Sequence, residues 1–162
     1  MTTERDPARP ADLGRTALVT GAPGFLGSHI AAQLLDAGVH VRALALPDEP
    51  LTNLAGKDVE IVRGDVRSAA DCRRAVAGVD TVFHAAAMYS AWVRDPEAMY
   101  RVNVGGTFHV LEAARRAGVG KTIVTASVVA LGRPVPGSIG DERTAYDGWE
   151  LDFPYGRSKH LA

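Results

Sequence analysis

A phenol four residues ahead of an ammonium on a helix is a unit able to move protons, and Tyr155-Gly-Arg-Ser-Lys159 has that spacing. Residues at i and i+4 share one helix face, and a cation beside a phenol favours the phenolate. Free tyrosine titrates near ~10, so acid–base work at neutral pH needs such a neighbour. Two polar residues on a surface helix would show the same spacing, so the pair gains meaning from its company. Ser127 directly follows the apolar run Thr122-Ile-Val-Thr-Ala126. That places a hydroxyl at the carboxyl end of a parallel strand, the edge where open α/β sheets bind ligands. There it can donate to a substrate carbonyl or accept from an alcohol, the polarisation that hydride transfer at carbon requires.

The run Thr16-Ala-Leu-Val-Thr-Gly-Ala-Pro-Gly-Phe-Leu-Gly-Ser28 reads as a strand passing through a glycine turn into a helix. Gly21, Gly24 and Gly27 follow one another at three residues, a variant of G-x-G-x-x-G, where missing Cβ atoms let backbone amides approach a pyrophosphate. The helix that follows turns its positive N-terminus toward those phosphates. A tight turn in any α/β protein is the plainer account, and the apolar runs on both sides favour the nucleotide one.

These groups need a scaffold. In 162 residues, 46% are apolar and the formal charge is −1, which fits one globular domain with a core and suggests no polyanionic partner. Arg73-Arg74 and Arg115-Arg116 fall in helical patterns as solvated faces, so nucleic acid is not an expected partner. Cys72 is the single cysteine, which excludes an internal disulfide; it reads as structural, in a reducing compartment. Residues 1–14 are polar with Pro7 and Pro10 and read as a disordered tail without a signal peptide, and no apolar run reaches the ~20 residues of a membrane span. A cytoplasmic protein with no membrane partner is expected.

Valine-rich runs alternate with amphipathic, alanine-rich stretches, a βαβα rhythm that predicts a doubly wound parallel sheet. Strands are expected at residues 16–20, 39–46, 59–63, 81–85 and 121–126, and helices at 25–37, 69–77 and 96–117. Gly38, Gly78 and Gly118 stand where helix C-terminal glycines would, and Asp95-Pro96 reads as an N-cap with proline at N1. Residues 132–154 form a long irregular stretch, a length usually tied to function.

The motifs T-G-A-P-G-F-L-G at 20–27, G-D-V at 64–66, H-A-A-A at 84–87, Y-R-V-N-V-G-G-T at 100–107, T-A-S at 125–127, D-E at 141–142 and Y-G-R-S-K at 155–159 occur in order. Together they resemble the N-terminal part of an extended short-chain dehydrogenase/reductase of the NAD-dependent epimerase/dehydratase family, with dihydroflavonol-reductase-like and hopanoid-associated sugar-epimerase-like members. The resemblance covers nearly everything after residue 15. It implies a Rossmann-type domain at residues 15–162 and an NAD(P)-dependent oxidoreductase or epimerase/dehydratase. It makes Tyr155 the general acid/base, Lys159 the holder of the nicotinamide ribose and Ser127 the orienter of the reacting oxygen. Gly21, Pro23, Gly24, Phe25, Leu26 and Gly27 would hold the pyrophosphate, Asp65 and Val66 would border the adenine, and Ala85, Ala86 and Ala87 would pass beneath the cofactor. Asn103 would act on backbone or water groups within its helix. His84 is as readily packed and hydrogen-bonded as catalytic, and no proton transfer is assigned to it. Tyr89 and Trp92 would face substrate or cover the sheet edge.

Two departures stand out. The end of the second strand sets the choice between NAD and NADP through an acid or an arginine, and here Ala45 and Leu46 stand at those positions. Arg42 comes earlier, and Asp48 and Glu49 come later and would repel a phosphate, so the lean is to NAD. Relatives also continue well past Lys159, with more strands and a substrate lobe of roughly a hundred residues. By that resemblance the sheet is incomplete at about five strands, the domain is truncated within the Tyr/Lys helix, and the chain alone is fragile with little or no turnover. Expected substrates are small molecules, a sugar nucleotide, a hydroxy-ketone or a flavonoid- or steroid-like compound, with a homodimer open for the full-length form. The alternatives are a non-catalytic dinucleotide-binding module and an inactive fragment.

Overall fold

Short runs of small and β-branched residues, too apolar to leave either face in water, pair side by side as a parallel sheet. In the computed structural model, which describes residues 13–90, 92–151 and 153–162, the strands are β1 (Thr16–Thr20), β2 (His40–Ala45), β3 (Val59–Arg63), β4 (Thr81–His84) and β5 (Lys121–Val124). Their order is β3-β2-β1-β4-β5, the beginning of the Rossmann order, and every pair is parallel. Thr20 pairs with both Leu44 and His84, and His84 with Val124, so these strands finish along one edge. The chain leaves β1 toward β2 on one side and reaches β4 on the other, which opens a crevice at that edge.

Alternation along β1 feeds two apolar layers. Ala17 and Val19 pack with Ala31 and Leu34 of α1 (Phe25–Asp36), together with Val41, Ala43 and Leu54. Leu18 faces the other way, with Val82, onto Cys72, Ala75 and Val76 of α2 (Ala69–Val76) and Val110, Ala113 and Ala114 of a later helix. Each fully buried side chain of valine or leucine size contributes about 1.5–3 kcal/mol. Ser68 caps α2 by accepting from the Asp71 N–H at 3.2 Å. Gly38 and Gly118 take φ of +72° and +71° where helices end, the conformation expected of C-terminal glycines.

The helix expected at 96–117 is three segments: α3 (Pro96–Tyr100), a π-helical turn (Arg101–Gly106) and α4 (Thr107–Ala117). The Thr107 hydroxyl donates to the Asn103 carbonyl at 2.6 Å, taking the acceptor that the Thr107 N–H would use in an α-helix. Three strands are also shorter than expected. β2 begins at His40 and stops at Ala45, β4 stops at His84 and β5 at Val124. Beyond β5, Ser127 opens a 3₁₀ turn (Val128–Ala130).

Among the described residues of the stretch 132–154, the regular structure before α5 begins at Pro154 is one 3₁₀ turn, Gly148–Glu150. The stretch is pinned by the Arg133–Asp147 ion pair at 2.8 Å and by Tyr146, whose ring stacks on His160 at 4.3 Å. His160 belongs to α5 (Pro154–Leu161), which also carries Tyr155 and Lys159. The expected tail at residues 1–14 lies, up to residue 12, outside the described residues; Leu13 accepts from the Thr81 hydroxyl at 2.9 Å.

Candidate functional site

The glycine turn is built by close approach. Gly21 has φ +65°, and a methyl group there would meet the Ala86 nitrogen and Cα at 2.8 Å. The Gly24 N–H donates to the Gly21 carbonyl at 3.0 Å, and a methyl on Gly27 would run into that same carbonyl. α1 therefore starts tight against β1. Its N-cap, Gly24, brings no capping side chain, so the first-turn N–H groups stay available to an anion. Pro23 sits behind the turn, where its carbonyl accepts from the Asn53 amide at 2.8 Å.

A cleft of about 580 Å³ opens over the carboxyl edge of the sheet. It brings together Gly21, Gly24, Phe25, Leu26 and Gly27 from the turn, Asp65 and Val66 after β3, Ala85, Ala86 and Ala87 after β4, and Tyr155 and Lys159 from α5. Pro23 and Ser127 are not among its lining residues. The Ser127 oxygen accepts from the Val129 N–H at 3.4 Å as the cap of its 3₁₀ turn, and its hydroxyl hydrogen has no acceptor among the described residues.

Sequence reasoning gave no site role of their own to several lining residues: Gly64, Val102 and Thr125 stand inside quoted motifs without one, Leu44 and Arg67 were not singled out, and Leu46 and Glu49 were considered only for cofactor choice. The sheet order gathers them to one edge from distant stretches. Glu49 Oε2 accepts from the Leu46 N–H at 3.1 Å, so its carboxylate is folded back to the β2 end. Ala45, where an acid would have been expected, is buried in the core, and Arg42 is turned away to Glu60 at 2.8 Å. Asp65 is gripped by Arg67, whose guanidinium donates at 2.6 and 2.9 Å and whose N–H donates at 2.8 Å. The Arg67 hydrogen bonds hold the Asp65 carboxyl below its usual range.

On the opposite wall, the Lys159 ammonium donates to the Thr125 carbonyl at 2.6 Å. Burial lowers the lysine's pKa. The Tyr155 ring stands edge-on to Tyr89 at 4.9 Å, and Tyr89 is 79% exposed at the mouth of the cleft. Beneath them His84 is buried, and burial, followed by the nearby Lys159 charge, pulls its pKa down to about 4. It is a neutral imidazole at neutral pH. Cys72 is inert by the same logic: burial pushes its thiol up to about 11.

No helix among the described residues is long and apolar enough to cross a membrane, and no cluster of three or more His, Cys, Asp or Glu side chains there could hold a metal ion.

A family model described as the NAD dependent epimerase/dehydratase family matches residues 17–162. The chain is 38% identical over 144 residues to a putative dihydroflavonol 4-reductase of Synechocystis, covering 89% of this chain and 42% of that protein. It is 40% identical over 149 residues to a 3 beta-hydroxysteroid dehydrogenase/Delta 5→4-isomerase of Mycobacterium tuberculosis, covering 87% and 39%. Among solved structures, the UDP-glucose 4-epimerase of Thermus thermophilus in complex with NAD superposes with a TM-score of 0.75 at 34% identity, over 89% of this chain and 47% of that one. The chain thus spans less than half the length of the relatives it matches.

Proposed function

The chain belongs to the NAD-dependent epimerase/dehydratase family, and from that premise we propose that it forms the dinucleotide-binding half of an enzyme that oxidises or reduces a carbinol carbon. One observation carries the reading. A single cleft holds the glycine turn, the small residues that follow β4 and the Tyr155–Lys159 pair.

The cleft fits the cofactor on its own terms: glycine at 21 and 27 lets the turn lie against the Ala86 backbone and α1 start against the Gly21 carbonyl, which sets the uncapped N-terminus of α1 at the cleft for an anion. A nicotinamide dinucleotide bound there supplies the hydride donor or acceptor. The first-turn amides of α1 receive its pyrophosphate, while Ala85 to Ala87 leave room beneath it. Asp65 and Val66 border the adenine. Lys159, steadied by Thr125, keeps hydrogens for ribose hydroxyls and places a positive charge one helical turn from Tyr155. Tyr155 takes or returns the proton of the reacting hydroxyl, and Ser127 orients that oxygen with its hydroxyl hydrogen. Glu49, at the β2 end of the cleft, favours NAD by repelling a 2′-phosphate. The substrate is a small molecule of the sugar-nucleotide, hydroxy-ketone or steroid-like class.

Fluorescence or calorimetric titration of the folded chain with NADH and NADPH tests the first half of this reading. Saturable NADH binding is expected, and its absence would defeat the nucleotide assignment. For the chemistry, Tyr155→Phe in a protein carrying the remaining length of its relatives should lose about 10²–10⁴-fold in turnover. Unchanged turnover would remove Tyr155 from the role.

A further inference from the structure

A line of buried polar groups runs under the cleft, and each group's hydrogens dictate the next. The Thr107 hydroxyl spends its single hydrogen on the Asn103 carbonyl at 2.6 Å. Toward His84 Nε2, at 3.0 Å, it can therefore only accept, so Nε2 carries a hydrogen. A neutral imidazole then offers Nδ1 as an acceptor, and the partner there is the Thr20 hydroxyl at 2.7 Å. Thr20 in turn accepts from the Ala86 N–H at 3.1 Å. Both ends of the line are backbone groups of fixed polarity, an N–H at Ala86 and a carbonyl at Asn103. The opposite tautomer would strand the Thr20 hydrogen and ask Thr107 to donate twice.

The line continues through the Asn103 side chain. Its Oδ1 accepts from the Met88 N–H at 2.7 Å, and its Nδ2 donates to the Met88 carbonyl at 3.0 Å and to Ser158 Oγ at 2.9 Å. Ser158 donates to the Tyr155 carbonyl at 2.8 Å. Thr20, His84, Asn103, Thr107 and Ser158 are all buried, so water does not substitute for any partner.

We propose that His84 is a positioning residue, locked as the Nε2–H tautomer, which couples the Ala86 amide beside the glycine turn to the Asn103 turn that braces the Tyr155 helix. The coupling is a property of these bonds; its value to catalysis rests on the nicotinamide reading above. His84 moves no proton to substrate. It transmits a direction, because reversing any one bond would require reversing all of them against two fixed backbone ends.

The test reads the bonds directly in the 162-residue chain. Histidine labelled with ¹⁵N should show His84 with a protonated Nε2 and an unprotonated Nδ1 at neutral pH, measured in wild type and so independent of any variant's folding. Thr107→Val removes the acceptor of the His84 N–H, and the Ala86 amide should then exchange with solvent at least about tenfold faster. Amides of β2 should exchange as before, and Thr107→Ser should restore the protection. A protonated Nδ1, or Ala86 exchange untouched by Thr107→Val, would overturn the proposal. If tautomer and exchange behave as expected but wild type binds no NADH, the nicotinamide reading fails and the coupling stands.

Discussion

Lys159 of α5 is tied to the end of β5, its ammonium donating to the Thr125 carbonyl at 2.6 Å. One helical turn earlier, Tyr155 lines the same cleft, so the sheet itself fixes where the cation stands relative to the phenol. Lys159→Met keeps most of the apolar stem and loses the charge and the tie. NADH affinity should fall about tenfold, equal to about 1.4 kcal/mol, and Lys159→Arg should recover only part because its fork is planar. Calorimetry reads this, and an unaltered Kd would detach Lys159 from the cofactor.

Gly27 meets the Gly21 carbonyl so closely that α1 could not start where it does with a methyl group there. Gly27→Ala should destabilise the fold by about 1–3 kcal/mol and abolish measurable NADH binding. Gly105 has open space around it, so Gly105→Ala should alter stability by less than about 1 kcal/mol and leave binding intact. Urea unfolding of both variants decides the matter; equal effects would show that helix propensity, not the cradle, governs Gly27.

Glu49 brings a carboxylate to the β2 end of the cleft, and Arg63 donates to the Glu49 and Leu46 carbonyls at 2.9 and 2.7 Å in the same corner. Removing the negative charge should therefore leave an arginine to meet a 2′-phosphate. In Glu49→Gln, NADPH affinity is expected to rise about five- to tenfold while NADH changes little. Parallel titrations with both nucleotides check this, and an unchanged ratio would shift the selection elsewhere.

His84 gives acid stability a specific shape. Its pKa is about 4 when folded, against an ordinary 6.5. Between those values the unfolded chain binds a proton that the folded one refuses, so stability rises with pH across the window. Up to about 3 kcal/mol present above pH 6.5 should be gone near pH 4. Carboxylates with lowered pKa, such as Asp65, act in the same direction, but mainly below their unfolded values near ~4. Urea midpoints from pH 7.5 to 4.5 should slope in wild type and flatten in His84→Gln. A level wild-type profile would contradict the burial of a neutral imidazole.

Much of this was legible in the chain. The alternation of valine-rich and alanine-rich runs located all five strands because strands buried on both faces need continuous apolar runs, and only their ends shifted. The glycine spacing and the Tyr155–Lys159 pair were visible as local patterns, and the cleft brings them together. The π-helical turn at Arg101–Gly106 was not, because the Asn103 side chain inside it is held by Met88 and Ser158 from other segments, while the local Thr107 hydroxyl bond to the Asn103 carbonyl leaves no mark in helical spacing. Arg67 was not singled out, and Thr125 stood in the T-A-S run without a role of its own, for a related reason: strand order brings them to one edge, and strand order is not written in any window of sequence. Ser127 was expected straight off a strand, whereas β5 ends three residues earlier and the serine caps a turn.

The π-helical turn sets a rotational phase. An α-helix advances about 100° per residue, and a turn closed from i to i+5 winds more slowly, so the face that follows is offset from the face before. α3 packs against α5, while α4 packs against α2 on the sheet. A uniform helix would hold those two contacts at one fixed angle; the wider turn lets each half choose its own. Removing a single residue there would act as a twist, swinging Asn103 out of line and uncoupling the helix that carries Tyr155 from the layer that carries the sheet.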